Sequence, residues 1–183
     1  MLKFFKTCLL IIFLLCCIAY IGIDNIAFKK YNGENLNIAI IGKIPSIREE
    51  NITFSEINFI DLEDESALNQ YDAIFITKEN LMEASKEKYS SIYKEYSIPF
   101  FFIKNPKGAT PFIHGELSYE NMPQISDPPS YASGILKNID GPTCTEYWLY
   151  NDIESSKTIK YLYSEIFKAI LDNKQDLKEL IKL

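Results

Sequence analysis

Short, uninterrupted apolar runs alternate with amphipathic stretches along most of this chain, and the two patterns predict different elements. Asn37–Gly42 (NIAIIG), Tyr71–Thr77 (YDAIFIT) and Pro99–Ile103 (PFFFI) are β-branched or aromatic runs. They are too short for helices and have the profile of strands buried on both faces. Ile52–Leu62 alternates Phe54, Ile57, Phe59 and Ile60 with polar residues, which predicts a second, less buried strand. Glu146–Tyr150 (EYWLY) predicts a last one. Glu63–Gln70 is an acidic connector with room for one or two helical turns. Asn80 and Glu83 form a capping-box-like pair, and Leu81, Ala84, Tyr89, Ile92 and Tyr96 follow at helical spacing until Ser97 and Pro99 end the pattern. In the irregular, proline-rich stretch Lys104–Thr143, Tyr131–Asn138 reads as a further helix. Ser155–Leu171 is the clearest helix, with Ile159, Leu162, Ile166, Phe167 and Ile170 on one face, and Asp172–Leu183 frays from it or continues it.

Strands separated by helices predict an α/β fold with a parallel sheet and covering helices. The expected architecture is a three-layer sandwich with a mostly parallel sheet, formed by one domain over residues 37–183. The phrase Leu68–Thr77 (LNQYDAIFIT) resembles the third strand of flavodoxin-like and related Rossmann-type domains. That resemblance runs over roughly residues 38–171 and implies architecture alone. The whole chain also resembles small membrane-anchored proteins of unknown function from Gram-positive spore-forming bacteria.

Ahead of this domain, Thr7–Ile23 (TCLLIIFLLCCIAYIGI) carries no charge and shows no polar face. As a helix it would extend about 26 Å, close to the roughly 30 Å of a bilayer's hydrocarbon core. The expected partner of residues 1–28 is therefore a lipid bilayer. Lys3 and Lys6 precede the run, which predicts a cytoplasmic N-terminus and an extracytoplasmic domain. The same layout suits an export signal. Bulky Tyr20, Ile21 and Ile23 after Cys17-Ile18-Ala19 make a poor cleavage site, so retention as an anchor is the preferred reading. Leu15 before Cys16 departs from the small residue that lipid attachment wants. Lys29–Leu36 is polar and reads as a tether.

Charge narrows the partners. The chain has 19 Lys and Arg against 25 Asp and Glu, a net charge of −6. That acidity disfavours nucleic acid, which rewards basic patches. Cys144 alone lies outside the apolar segment, so the domain can close no internal disulfide. Asn51-Ile52-Thr53 matches a glycosylation sequon.

Candidate chemistry is sparse. In folds of this class ligands bind beyond the carboxyl ends of the strands. Lys43 and Arg48 follow the first strand, Lys78 and Asn80 the third, and Lys104 the fourth. Basic side chains converging there, beside a helix start, would hold a small anionic ligand. A protein partner is the other expectation, with the proline-rich loop and the tyrosines as its surface. An enzyme of a Rossmann-like class, such as a hydrolase acting on an anionic substrate, is the alternative. Lys104 resembles the lysine of response-regulator receivers, but Thr77-Lys78 stands where their phosphate-accepting Asp would be. No Gly-x-Gly-x-x-Gly, Walker loop or Gly-x-Ser-x-Gly elbow is present, and no cofactor is expected. His114 is the sole histidine, which disfavours metal sites, and a Cys144–His114 nucleophile pair is conceivable. Asp61, Glu63, Asp64 and Glu65 lack the Gly and Glu of a calcium loop and read as a solvated helix start.

Overall fold

The computed structural model describes residues 28–138 and 140–180. The expected anchor, Thr7–Ile23, lies outside the described residues. No helix among those described is long and apolar enough to cross a membrane.

The apolar runs form strands β1 (Leu36–Ile41), β2 (Ile52–Glu56), β3 (Ala73–Ile76) and β4 (Phe100–Ile103), followed by β5 (Ala132–Leu136) and β6 (Thr143–Tyr147). They make one six-stranded mixed sheet in the order β2-β1-β3-β4-β5-β6. β2, β1, β3 and β4 run parallel, and β5 and β6 each pair antiparallel with the strand before. The fold is therefore α/β.

Because successive side chains in a strand point to opposite faces, each buried run supplies two cores. Ala39, Ile41, Ile74, Ile76, Phe100 and Phe102 face one side. They meet the short helices α1 (Glu65–Leu68), α2 (Leu81–Ala84), α3 (Glu87–Glu95) and α4 (Thr110–Ile113). Phe112 of α4 stacks on Phe102 with ring centroids 3.6 Å apart. Ile38, Ile40, Ala73, Phe75, Phe101 and Ile103 face the other side, covered by Leu162, Tyr163, Ile166, Phe167 and Ile170 of the long helix α5 (Ser156–Leu180).

Several elements depart from the sequence expectation. Tyr131–Asn138 is not a helix. Its core is strand β5, held between β4 and β6, and a Cβ at Gly134 would sit 2.9 Å from the ring of Phe101, so that ring fills the space a side chain would need. The last strand lies earlier than Glu146–Tyr150, since β6 begins at Thr143 and Tyr150–Asp152 form a 3-10 turn. β2 stops at Glu56, and Phe59–Glu63 make another 3-10 turn. The helix expected from Asn80 to Tyr96 breaks at Lys86, whose backbone is extended (φ −66°, ψ 139°). α5 runs on to Leu180, so Asp172 continues the helix.

Residues 28–36 lie against the domain rather than leading away from it. Tyr31 is buried under α5, and Arg48 donates to the carbonyls of Phe28 (3.0 Å) and Lys29 (2.7 Å). Asn51, the sequon asparagine, is tied into the same clamp: its amide donates to the carbonyls of Gly33 and Glu34.

Candidate functional site

β1 and β3 end side by side, with β2 on one flank and β4 on the other, so the chain leaves the sheet in opposite directions there. A crevice opens at such a reversal. Gly42 lets the two strand ends approach: its φ is +118°, and a Cβ there would lie 1.9 Å from Thr77 Oγ1. A polar pin then joins the ends. Thr77 Oγ1 and Asn80 Nδ2 donate to the Ile41 carbonyl (3.4 and 3.3 Å), and the Lys43 N–H lies 3.3 Å from both Thr77 Oγ1 and Glu79 Oε1.

Beyond this pin lies a cavity of about 670 Å³. Lys43, Lys78 and Lys104 all line it, each exposed and each from the end of a different parallel strand. Its walls are apolar, built by Ile44, Ile103, Ile159 and the rings of Tyr131 and Tyr163. Ser156 opens α5 at the same place, so the positive end of a long helix dipole adjoins the lysines. Ser155 and Thr158 stabilise that helix start by exchanging bonds, Ser155 N–H to Thr158 Oγ1 (3.0 Å) and Thr158 N–H to Ser155 Oγ (3.2 Å).

Lys104 carries a left-handed backbone (φ 56°), its ammonium 3.4 Å from Glu154 Oε1 and 5.7 Å from the centre of the Tyr131 ring. With Lys78 and Tyr131 it also borders an adjoining cavity of about 430 Å³, closed by Pro128, Pro129, Leu149, Asp152 and Glu154. The two cavities share Lys78, Lys104 and Tyr131 as lining; Glu79 lines the first beside the lysines, and Asp152 and Glu154 line the second.

Glu79 lines the same cavity, a carboxylate among the three lysines. Glu79 is held below the usual carboxylate range, chiefly by its own backbone N–H, aided by Thr77, the Lys43 N–H and the Lys43 charge. Burial, with a smaller contribution from Glu154, pushes the Tyr131 hydroxyl up to about 12, and burial raises that of Tyr163 further. Both phenols stay neutral donors near neutral pH.

Arg48 does not join this group. Its guanidinium bonds Ser164 Oγ (2.8 Å from Nη2) and lies 3.5 Å from the fully buried Glu49 carboxylate, which also accepts from Ser164 (2.6 Å). Arg48 is a clamp between residues 28–29 and α5. Asn80 serves the strand pin and makes no side-chain cap, and it is not among the residues lining the cavity. Sequence reasoning missed Ser156, Ile159 and Tyr163, and placed Tyr131 on an aromatic partner surface rather than in this cavity. Ser156 could have been found, because the start of the clearest helix must return to this edge if the helix is to cover the sheet.

The other candidates separate. The His114 imidazole lies 3.6 Å from Glu116, and its backbone ends α4. Cys144 sits on β6, opposite Ile135 and toward the far end of the sheet, with its thiol raised by burial and by Glu146. The acidic stretch caps structure: Asp64 Oδ1 accepts from the N–H groups of Ser66 and Ala67 at the start of α1. Among the described residues no group of acidic, Cys or His side chains could hold a metal ion.

The proline-rich stretch is pinned from beneath. Buried Asn105 donates to the Gly108 carbonyl and to Ser133 Oγ (2.7 Å each), and accepts from Lys107 N–H and the Tyr119 hydroxyl. Nearby, Glu146 Oε1 accepts from Ala109 N–H (3.1 Å), while its Oε2 is buried without a partner. Burial raises this carboxyl to about 7, partly offset by the Ala109 bond.

Compared with protein-family models, curated proteins and solved structures, the chain finds no match.

Proposed function

We propose that this chain is a membrane-tethered, extracytoplasmic α/β domain whose sheet-edge crevice binds a small anion. The observation that carries the reading is that Lys43, Lys78 and Lys104, far apart in sequence, line a single cavity where the strand order reverses. The apolar walls suit a ligand with a hydrocarbon or ring body, and the ammonium groups and helix start suit its charged end. The strand order β2-β1-β3-β4-β5 is that of flavodoxin-type sheets, which supports kinship of architecture, although here β5 is reversed. An ionised Glu79 and two neutral phenols give this cavity binding chemistry more readily than proton transfer at neutral pH. The tether rests on the apolar run Thr7–Ile23 and the lysines before it.

Thermal unfolding of the full chain in detergent, with and without millimolar pyrophosphate, tests the anion site. Pyrophosphate is expected to raise the midpoint. Lys43→Ala and Lys78→Ala should each weaken it about tenfold, the worth of one charge-assisted hydrogen bond. Stabilisation that survives both substitutions, or none in the parent chain, would overturn the site.

A further inference from the structure

The region where the described chain begins carries a second, independent feature. Phe28 packs against two aromatic rings, Tyr150 (centroids 5.1 Å apart) and Tyr161 (4.7 Å), and the Lys157 ammonium lies 5.2 Å from its ring centre. Tyr150 and Tyr161 border a surface groove with Trp148. Ile153 follows one turn later, its N–H bonded to the Tyr150 carbonyl. These side chains are costly to leave in water: Trp148 is 45% exposed, Tyr150 36% and Ile153 55%. Trp148 and Tyr150 border one groove, which Glu165, Lys168 and Asp172 also line, and exposed Ile153 follows them along the chain.

We propose that this patch, centred on Trp148, Tyr150 and Ile153, docks on the bilayer interface into which Thr7–Ile23 inserts. The inference rests on the anchored reading of that apolar run. Its support is the length of chain between them. Ile23 and Phe28 are five residue steps apart, which span at most about 18 Å even when fully extended. Arg48 grips the Phe28 and Lys29 carbonyls, so the chain beyond Phe28 adds no slack. A domain held this close presents to the membrane the face from which its anchor departs. That face carries the residue types that favour the headgroup region, Trp and Tyr with a lysine beside them. A charge-driven contact is not needed, which suits the chain's negative balance.

Trp148 is the chain's sole tryptophan, so its emission reports this surface alone. The full chain is reconstituted in phosphatidylcholine vesicles with and without lipids brominated high in the acyl chain. Co-flotation with the vesicles and quenching of Trp148 by about half are expected for an indole at the interface. Ile153→Ser and Tyr150→Ser should each reduce the quenching while leaving flotation unchanged. A chain that does not float overturns the anchored reading, and this proposal with it. A chain that floats with Trp148 unquenched overturns the docking alone. If Trp148 is then shielded from aqueous acrylamide in a concentration-dependent way, a second copy covers the patch instead.

Discussion

Glu146 shows how much one side chain can cost its surroundings. Its carboxyl is raised from 4.5 to about 7 because burial disfavours the charged form, and the Ala109 N–H compensates only in part. A group whose folded value lies above its unfolded one contributes fully below the unfolded value, and the contribution is lost as pH rises through the folded one. Stability should therefore fall between pH 4.5 and about 7 as this carboxyl ionises in place. Glu146→Gln keeps an acceptor for Ala109 and should remove that slope, gaining about 1–2 kcal/mol at pH 8 after allowing for partial solvent screening. Urea unfolding of both chains across this range checks it; an unchanged slope would assign the pH dependence to other groups.

Among the elements, α5 does most to organise the molecule. One face covers the sheet, its first turn borders the crevice, and Ser164 in its middle holds the Arg48–Glu49 pair that fixes residues 28–31. Glu49 is fully buried, and such a charge is tolerated because Arg48, Ser164 and the Tyr31 N–H surround it. Arg48→Ala should cost about 3 kcal/mol, because breaking a buried pair leaves its partner uncompensated. It should leave pyrophosphate binding at the lysine crevice unchanged. Denaturant midpoints and ligand titrations on the same variant separate these outcomes, and a variant that loses binding while keeping its stability would return Arg48 to the site.

At the scale of the whole molecule, a net charge of −6 surrounds a crevice rimmed by exposed lysines. Long-range repulsion then opposes an arriving anion, while the three ammonium groups attract it at short range. Moderate salt screens the distant acidic field and, with it, the exposed lysines, since the Debye length is about 10 Å at 0.1 M. Pyrophosphate affinity should fall with added salt if the lysines dominate and rise if the overall charge does. We expect a fall, measured by titration calorimetry from low to physiological ionic strength, because the lysines are nearest the ligand. A rise would mean that the overall negative charge outweighs the three lysines, against the proposed site.

Much of this arrangement could be read from residue order, and the reasons are local. Runs such as AIFI and FFFI bury both faces of a strand wherever they sit, so β1, β3 and β4 follow from composition. The periodicity of Ile159 to Ile170 predicts α5 in the same way, and the lysines after β1, β3 and β4 follow from where parallel strands end. What residue order could not supply depended on contacts between distant segments. Tyr131–Asn138 became a strand because β4 and β6 offered it partners, with Gly134 making room for the Phe101 ring. Arg48 left the expected site because a buried Glu49 and the hydroxyl of Ser164 lay nearer than the crevice. The closeness of Lys43, Lys78 and Lys104 around one cavity is likewise a property of strand order. The sequence by itself determined which elements bury apolar surface and which residues end them, because hydrophobic period and chain punctuation act over a few residues. Tertiary structure alone decided which of those ends face a common space, because that depends on pairing between segments far apart along the chain.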